Sequence, residues 1–188
     1  MLLFDTRVDM IKELVPQSSV ISEIGVFRGD FMKQMVSILN PNIFIAIDIF
    51  SGYVGSGDQD GNNFITCNLD EEYLKLIEYF KLNTAVKFIK GYSTPSLITF
   101  PNDYFDMIYI DADHSYEGCK KDLDVSFNKI KQSGWIMGHD YGQNFLKSKT
   151  KYEFGVKQAV DEFCIKYNQT IYAKANDGCI SFAIKISK

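Results

Sequence analysis

No apolar run in this 188-residue sequence approaches the ~20 residues that a membrane helix requires. Basic residues are not in excess either: 20 Lys and Arg stand against 24 Asp and Glu, a net charge of -4 that disfavours a nucleic-acid-binding face. Four cysteines (Cys67, Cys119, Cys164 and Cys179) lack CxxC spacing, which excludes a zinc-ribbon site or a disulfide framework and suits reduced thiols. The first fifteen residues, MLLFDTRVDMIKELV, lack the basic start and apolar core of a signal peptide, so the expectation is a soluble, cytoplasmic protein. With four prolines there is no Pro-rich linker, and no repeat or low-complexity tract interrupts the chain. One domain over 1–188 is expected, with 1–18 as a short N-terminal helical extension.

What is present is an alternation of apolar strands and amphipathic helices. A helix over about 5–15 stops at Pro16, and strands are expected at 19–24, 43–47, 85–89, 105–110, 134–137, 170–174 and 179–186. Helices are expected over about 30–40, 70–81, 115–131 and 155–167, with a short element after Pro95 and a polar, glycine-rich loop over 51–66. Near-continuous apolar strands separated by helices imply an α/β fold: a largely parallel sheet covered on both faces. The turn Asn176-Asp177-Gly178 implies an antiparallel hairpin at one edge.

In an open α/β sheet ligands bind at the carboxyl ends of the strands, and here those ends carry acids: Asp48, Asp111 with Asp113, and Asp140. A single such acid is equally well a helix cap. The first strand ends in Glu23-Ile-Gly25-Val26-Phe27-Arg-Gly29, whose glycines let backbone approach a ligand while the next helix offers free N–H groups. Glu23 stands where a dinucleotide-binding turn has its first glycine, and a carboxylate there repels a pyrophosphate but suits a cationic ligand. A nicotinamide-dependent dehydrogenase is thereby disfavoured. Asp48, 25 positions beyond Glu23, is placed to grip ribose hydroxyls.

Over nearly its whole length the sequence resembles the class I S-adenosylmethionine-dependent methyltransferases. Glu23-Ile-Gly-Val-Phe-Arg-Gly29, Ile110-Asp-Ala-Asp-His-Ser-Tyr-Glu-Gly118 and Gly138-His-Asp-Tyr141 look like a small O-methyltransferase-like branch that includes enzymes acting on natural-product sugars. The resemblance implies a Rossmann-like seven-stranded mixed sheet of order 3-2-1-4-5-7-6. It implies that Glu23, Gly25, Val26, Phe27 and Gly29 surround the methionine part of S-adenosylmethionine, with Asp111 and Asp113 on the same cofactor-binding rim. Asp48 and Ile49 lie at the ribose, and Tyr92 and Ser93 near the adenine. In that order strands four and five are neighbours ~4.8 Å apart, so Asp111 and Asp140 could share a cation.

Asp111 and Asp140 match two metal ligands of catechol- and caffeoyl-type enzymes, while Tyr141 stands where those enzymes have an asparagine. Asp113 or His139 could complete a Mg²⁺ site, or the site is metal-free. His114 occupies the place of a lysine base in the catechol-type enzymes. An imidazole of pKa ~6.5 removes a hydroxyl proton at neutral pH; alternatively His114 only orders the helix at Ser115. The candidate catalytic groups are therefore His114, Asp111 and His139.

The expected reaction is methylation of a small-molecule or glycan hydroxyl. The alternative is an S-adenosylmethionine-binding protein or subunit without activity. Because only about 18 residues precede the first strand, the acceptor pocket is expected from loops 51–66 and 141–154, from a partner copy in a homo-oligomer, or as an open surface suited to a larger acceptor. Two further features are weaker. Asp58-Gln-Asp60-Gly-Asn62 begins like a calcium loop but has Asn63 at its sixth and Leu69 at its twelfth position. Lys147, Lys149 and Lys151 form a solvated basic run that could steer an anionic acceptor.

Overall fold

A computed structural model describes residues 1–56, 65–142 and 154–188. The calcium-loop lookalike at 58–62 and the lysine run at 147–151 lie outside the described residues. The elements that build the main sheet are β2 (Val20–Ile24), α2 (Asp30–Leu39), β3 (Ile43–Asp48), α3 (Leu69–Phe80), β6 (Val86–Lys90), α4 (Ser93–Ile98), β7 (Phe105–Ile110), α5 (Tyr116–Lys129), β8 (Ile130–Gly138), α6 (Val156–Lys166), β9 (Ile171–Asn176) and β10 (Ile180–Lys185). Two others precede them, β1 (Leu2–Phe4) and α1 (Arg7–Leu14), and a separate antiparallel pair joins β4 (Tyr53–Ser56) to β5 (Ile65–Asn68).

The sheet runs β1-β9-β10-β8-β7-β2-β3-β6. Without β1 this is the 3-2-1-4-5-7-6 order, a Rossmann-like fold with an antiparallel β10 between β8 and β9. The expectation of seven strands is corrected to eight. β1 pairs in parallel with β9, Leu2 opposite Ala173, so the N-terminal extension is part of the sheet as well as helical. Three residues are too few to show a period in sequence, which is why this strand was not legible. The 51–66 segment, expected as a loop, carries β4 and β5 at its two ends.

Each strand sends alternate side chains to opposite faces. One face packs Ile21, Phe44, Met107 and Met137 against Met10 and Ile11 of α1, Met32 and Met35 of α2, and Leu76 of α3. The other packs Ile24, Ile47, Ile108 and Ile136 against Leu97 of α4, Leu123 of α5, and Val160 and Phe163 of α6. Each such side chain contributes ~1.5–3 kcal/mol by leaving water. Helix ends are fixed locally: Thr6, Asn68 and Ser115 cap α1, α3 and α5 through their side-chain oxygens. α2 closes at Asn40, left-handed with φ 42°, just before Pro41. These packings leave the carboxyl ends of β2, β3, β7 and β8 on one edge of the sheet.

Candidate active site

Glu23 lies on β2 between Ala46 of β3 and Tyr109 of β7, on the face covered by α1 and α2. It is 2% exposed, and its Oε2 has no hydrogen-bond partner among the described residues. Burial pushes its carboxyl well above the usual range, repulsion from Asp111 and Asp48 adds to this, and Arg7 opposes it. A buried acceptor without a donor calls for a ligand that brings one.

The turn that follows is built to come close. Gly25 has φ 85°, and a Cβ there would stand 2.1 Å from the Asp111 carbonyl oxygen, so only glycine lets this turn pass the end of β7. Asp48 holds the turn in place. Its Oδ2 accepts the N–H of Val26 at 2.7 Å and of Phe27 at 2.9 Å, and its Oδ1 accepts that of Phe50 at 2.8 Å. Three of the roughly four acceptor positions of this carboxylate are thus used by backbone, and the ribose expectation falls on a residue with a structural task as well. Ile49 beside it is 43% exposed. Gly29, left-handed at φ 74°, opens α2.

At the ends of β7 and β8 lies a corner of acids and imidazoles. His114 Nε2 is 3.2 Å from Asp111 Oδ1 and 3.5 Å from Asp140 Oδ2. His139 Nδ1 is 3.5 Å from Asp140 Oδ1 and 3.9 Å from Asp111 Oδ1. Burial works against a charged His114, but its hydrogen bond to Asp111 and the charges of Asp140, Asp111 and Asp113 outweigh this and raise its pKa. Burial also works against an ionised Asp140. The hydrogen bond and charge of His139, the charge of His114 and a bond from Cys179 overcome that and hold its carboxyl below the usual range. The His114 ring stacks on Phe154 at 5.0 Å.

The two long motifs supply the four corner residues, and their remaining members brace it. Asp113 Oδ1 accepts the Ser115 N–H at 2.9 Å, and Ser115 Oγ accepts the Gly118 N–H at 3.1 Å, together starting α5. A Cβ on Gly118 would lie 2.3 Å from Asp113 Cγ. Asp113 therefore turns away from the corner into the helix start. Tyr141 does the same on the other side: its hydroxyl donates to Asp161 Oδ1 on α6 at 2.7 Å. Ser93 donates to the buried Asp122 on α5 at 2.5 Å, which leaves Tyr92, 76% exposed, as the free side chain of that pair.

Sequence reasoning missed Arg7, Tyr109, Asp177 and Cys179. The Arg7 guanidinium lies 4.1 Å above the Phe31 ring, 3.8 Å from Asp111 Oδ2 and 3.7 Å from Asp177 Oδ2, beside the Tyr109 hydroxyl. No local pattern marks it, because α1 reaches the site only through the packing of the completed sheet.

Among the described residues two groups hold donor atoms within 4.8 Å of one another: Asp111, His114 and Asp140, and His139, Asp140 and Cys179. Neither is the all-oxygen set that Mg²⁺ prefers. Tyr141 and Asp113 are committed elsewhere, and the third donor beside Asp111 and Asp140 is a nitrogen. A Mg²⁺ site of the catechol type does not fit these residues. A cationic cofactor does fit the other half of the site, where the orphaned Glu23 oxygen lies next to the close-approaching Gly25 turn.

Comparison with known proteins bears on the fold that carries this geometry. The O-methyltransferase NovP superposes with a TM-score of 0.67 at 19% identity, covering 97% of this chain and 80% of that one. The N-methyltransferase NodS from Bradyrhizobium japonicum gives 0.66 at 11%, covering 97% and 95%. Likenesses at this identity show the shared fold and leave the acceptor atom open. An uncharacterized protein, R132 of Acanthamoeba polyphaga mimivirus, is 25% identical over 119 residues, 63% of this chain, and the match spans half the length of that curated relative. Residues 22–141, from the strand that carries Glu23 to the corner at Tyr141, match the methyltransferase-domain family, and the chain belongs to that family.

Proposed function

We propose that the protein transfers a methyl group from S-adenosylmethionine to a hydroxyl oxygen of a small acceptor, a sugar or polyol in the first instance and a catechol-like phenol in the second. The observation that carries this reading is the buried Glu23 carboxylate with its unpartnered Oε2 at the Gly25 turn, adjoining a corner where two imidazoles meet two carboxylates. When bound, S-adenosylmethionine supplies an electrophilic methyl group on a sulfonium. Glu23 and the turn held by Asp48 bind its cationic end. The corner faces the acceptor hydroxyl and takes its proton onto an imidazole, so that the oxygen attacks as an alkoxide-like nucleophile. The pair of electrons in the broken carbon–sulfur bond stays with sulfur, leaving S-adenosylhomocysteine.

A calorimetric titration of S-adenosylhomocysteine into the purified protein tests the cofactor half: micromolar binding is expected, and no binding would overturn the proposal. Turnover on a panel of sugar and phenol acceptors tests the other half. Tight binding with no turnover on any acceptor would favour a cofactor-binding subunit, a reading that the commitment of Tyr141 to Asp161 supports.

A further inference from the structure

The main sheet ends in two very different edges. One is β6, where Lys87 and Lys90 are exposed and Lys90 is paired with Asp70 at 2.7 Å. Lysines on an outer strand discourage the approach of a further strand. The other edge is β1, Leu2-Leu3-Phe4, which bears no charged side chain. Leu2 and Leu3 are both exposed, Leu3 by 76%. One side of β1 pairs with β9, and the backbone polar groups of its other side have no partner among the described residues. A bare apolar edge of this kind is a template for another strand.

A groove runs between this edge and α1, lined by Leu2, Leu3, Phe4, Asp9, Lys12 and Glu13. The last three are exposed and, spaced by three and four, lie along one side of the helix. Lys12 and Glu13 carry opposite signs, and neither has an ion-pair partner among the described residues. Such a stripe is self-complementary. A two-fold axis normal to the sheet sets α1 antiparallel to its copy on the same face, with Lys12 of each chain opposite the acids of the other. A partner of a single charge sign would satisfy only part of the stripe, which favours a second copy as the occupant.

We infer that β1 is the contact through which two copies of this chain associate. β1 pairs antiparallel with its own copy, centred on Leu3, so that Leu2 lies opposite Phe4 of the other chain. The two eight-stranded sheets then join into one. Three residues supply few ladder bonds, so the dimer is a weak one that forms at micromolar concentration. Because the contact is isologous, it closes at two and leaves neither β1 open. It also steadies α1, the helix that carries Arg7 to Asp111 and Asp177. Dimer formation is independent of the proposed methyl transfer.

The test is sedimentation equilibrium of the full, untagged chain from micromolar to submillimolar concentration, with circular dichroism and a thermal melt of each variant to report the fold. The unsubstituted chain should pass from monomer to dimer and stop there. Leu3→Lys sets like charges across the axis and should weaken the dimer at least tenfold. Lys12→Glu and Glu13→Lys should each weaken it severalfold, and an equimolar mixture of the two should restore it as a heterodimer. These reversals lie on the helix surface, so they decide the matter even if Leu3→Lys detaches β1 from β9. A chain that stays monomeric across the range overturns the inference, as does association that continues past two. So does a dimer that all three substitutions leave unchanged, or a mixture that associates no better than either variant alone.

Discussion

A strand interior flanked by Ala46 and Tyr109 is a costly place for a carboxylate, yet Glu23 sits there with one oxygen unpartnered. Its pKa in the fold is raised above the ~4.3 of an exposed glutamate. Its contribution to stability is therefore fullest below the unfolded value and is lost as pH rises through the unfolded pKa towards the folded one. Glu23→Gln should raise the melting temperature by a few degrees at pH 8, at ~2–4 °C per kcal/mol for a chain of this size. The gain should be smaller at pH 5, and S-adenosylhomocysteine affinity should fall more than tenfold. A lower melting temperature at both pH values would show that the carboxylate is satisfied after all. Asp48 is held by a different arrangement, because three backbone N–H groups depend on it. Asp48→Ala should cost about 2–4 kcal/mol in chemical denaturation and weaken the cofactor more than tenfold. Unchanged affinity would remove Asp48 from the ribose site and leave it as the anchor of the turn.

Helix α5 begins beside the corner of acids and imidazoles, and its first turn shows how tightly the two are joined. On an open helix Gly→Ala stabilises by ~0.5–1 kcal/mol. At Gly118 the new methyl group would meet the Asp113 side chain at 2.3 Å, so Asp113 must release Ser115 and disturb the turn that carries His114. Gly118→Ala should therefore destabilise by about 1–3 kcal/mol and lower activity; a stabilised variant in denaturant melts would refute this packing. The acids at the ends of β3, β7 and β8 were legible in sequence because apolar strands end abruptly at them. What each acid binds was not. Asp113 and Asp48 turn to backbone groups within a few residues or across one strand, and only the folded turn reveals it. The short β1 gave no periodic signal, and the β4–β5 pair was hidden in a polar, glycine-rich stretch that reads as loop.

Across the whole molecule, Arg7 ties together segments far apart in the chain: the first helix, the end of β7 at Asp111, and the β9–β10 turn at Asp177. These ion pairs are about a quarter exposed, so water screens much of their strength. Arg7→Met should cost ~1 kcal/mol and speed hydrogen exchange at residues 177–180. It should also shift the pH dependence of S-adenosylhomocysteine binding upwards, since Arg7 is the cation that partly restrains the pKa of Glu23. An unchanged pH dependence would confine Arg7 to a structural link. The order of the seven longer strands was legible through resemblance, whereas the reach of α1 to the site was not, because it depends on β1 finding its place beside β9.

That pairing sets a timetable for the nascent chain. Leu2 leaves the ribosome long before its partner Ala173, which is translated some 170 residues later, roughly 10–30 s at usual rates of synthesis. Throughout that interval the leading strand has nothing to pair with, and Arg7 has no Asp177 to meet. Strand β1 is thus among the last elements to become native, and the mouth of the candidate site is completed only when the β9–β10 hairpin is released.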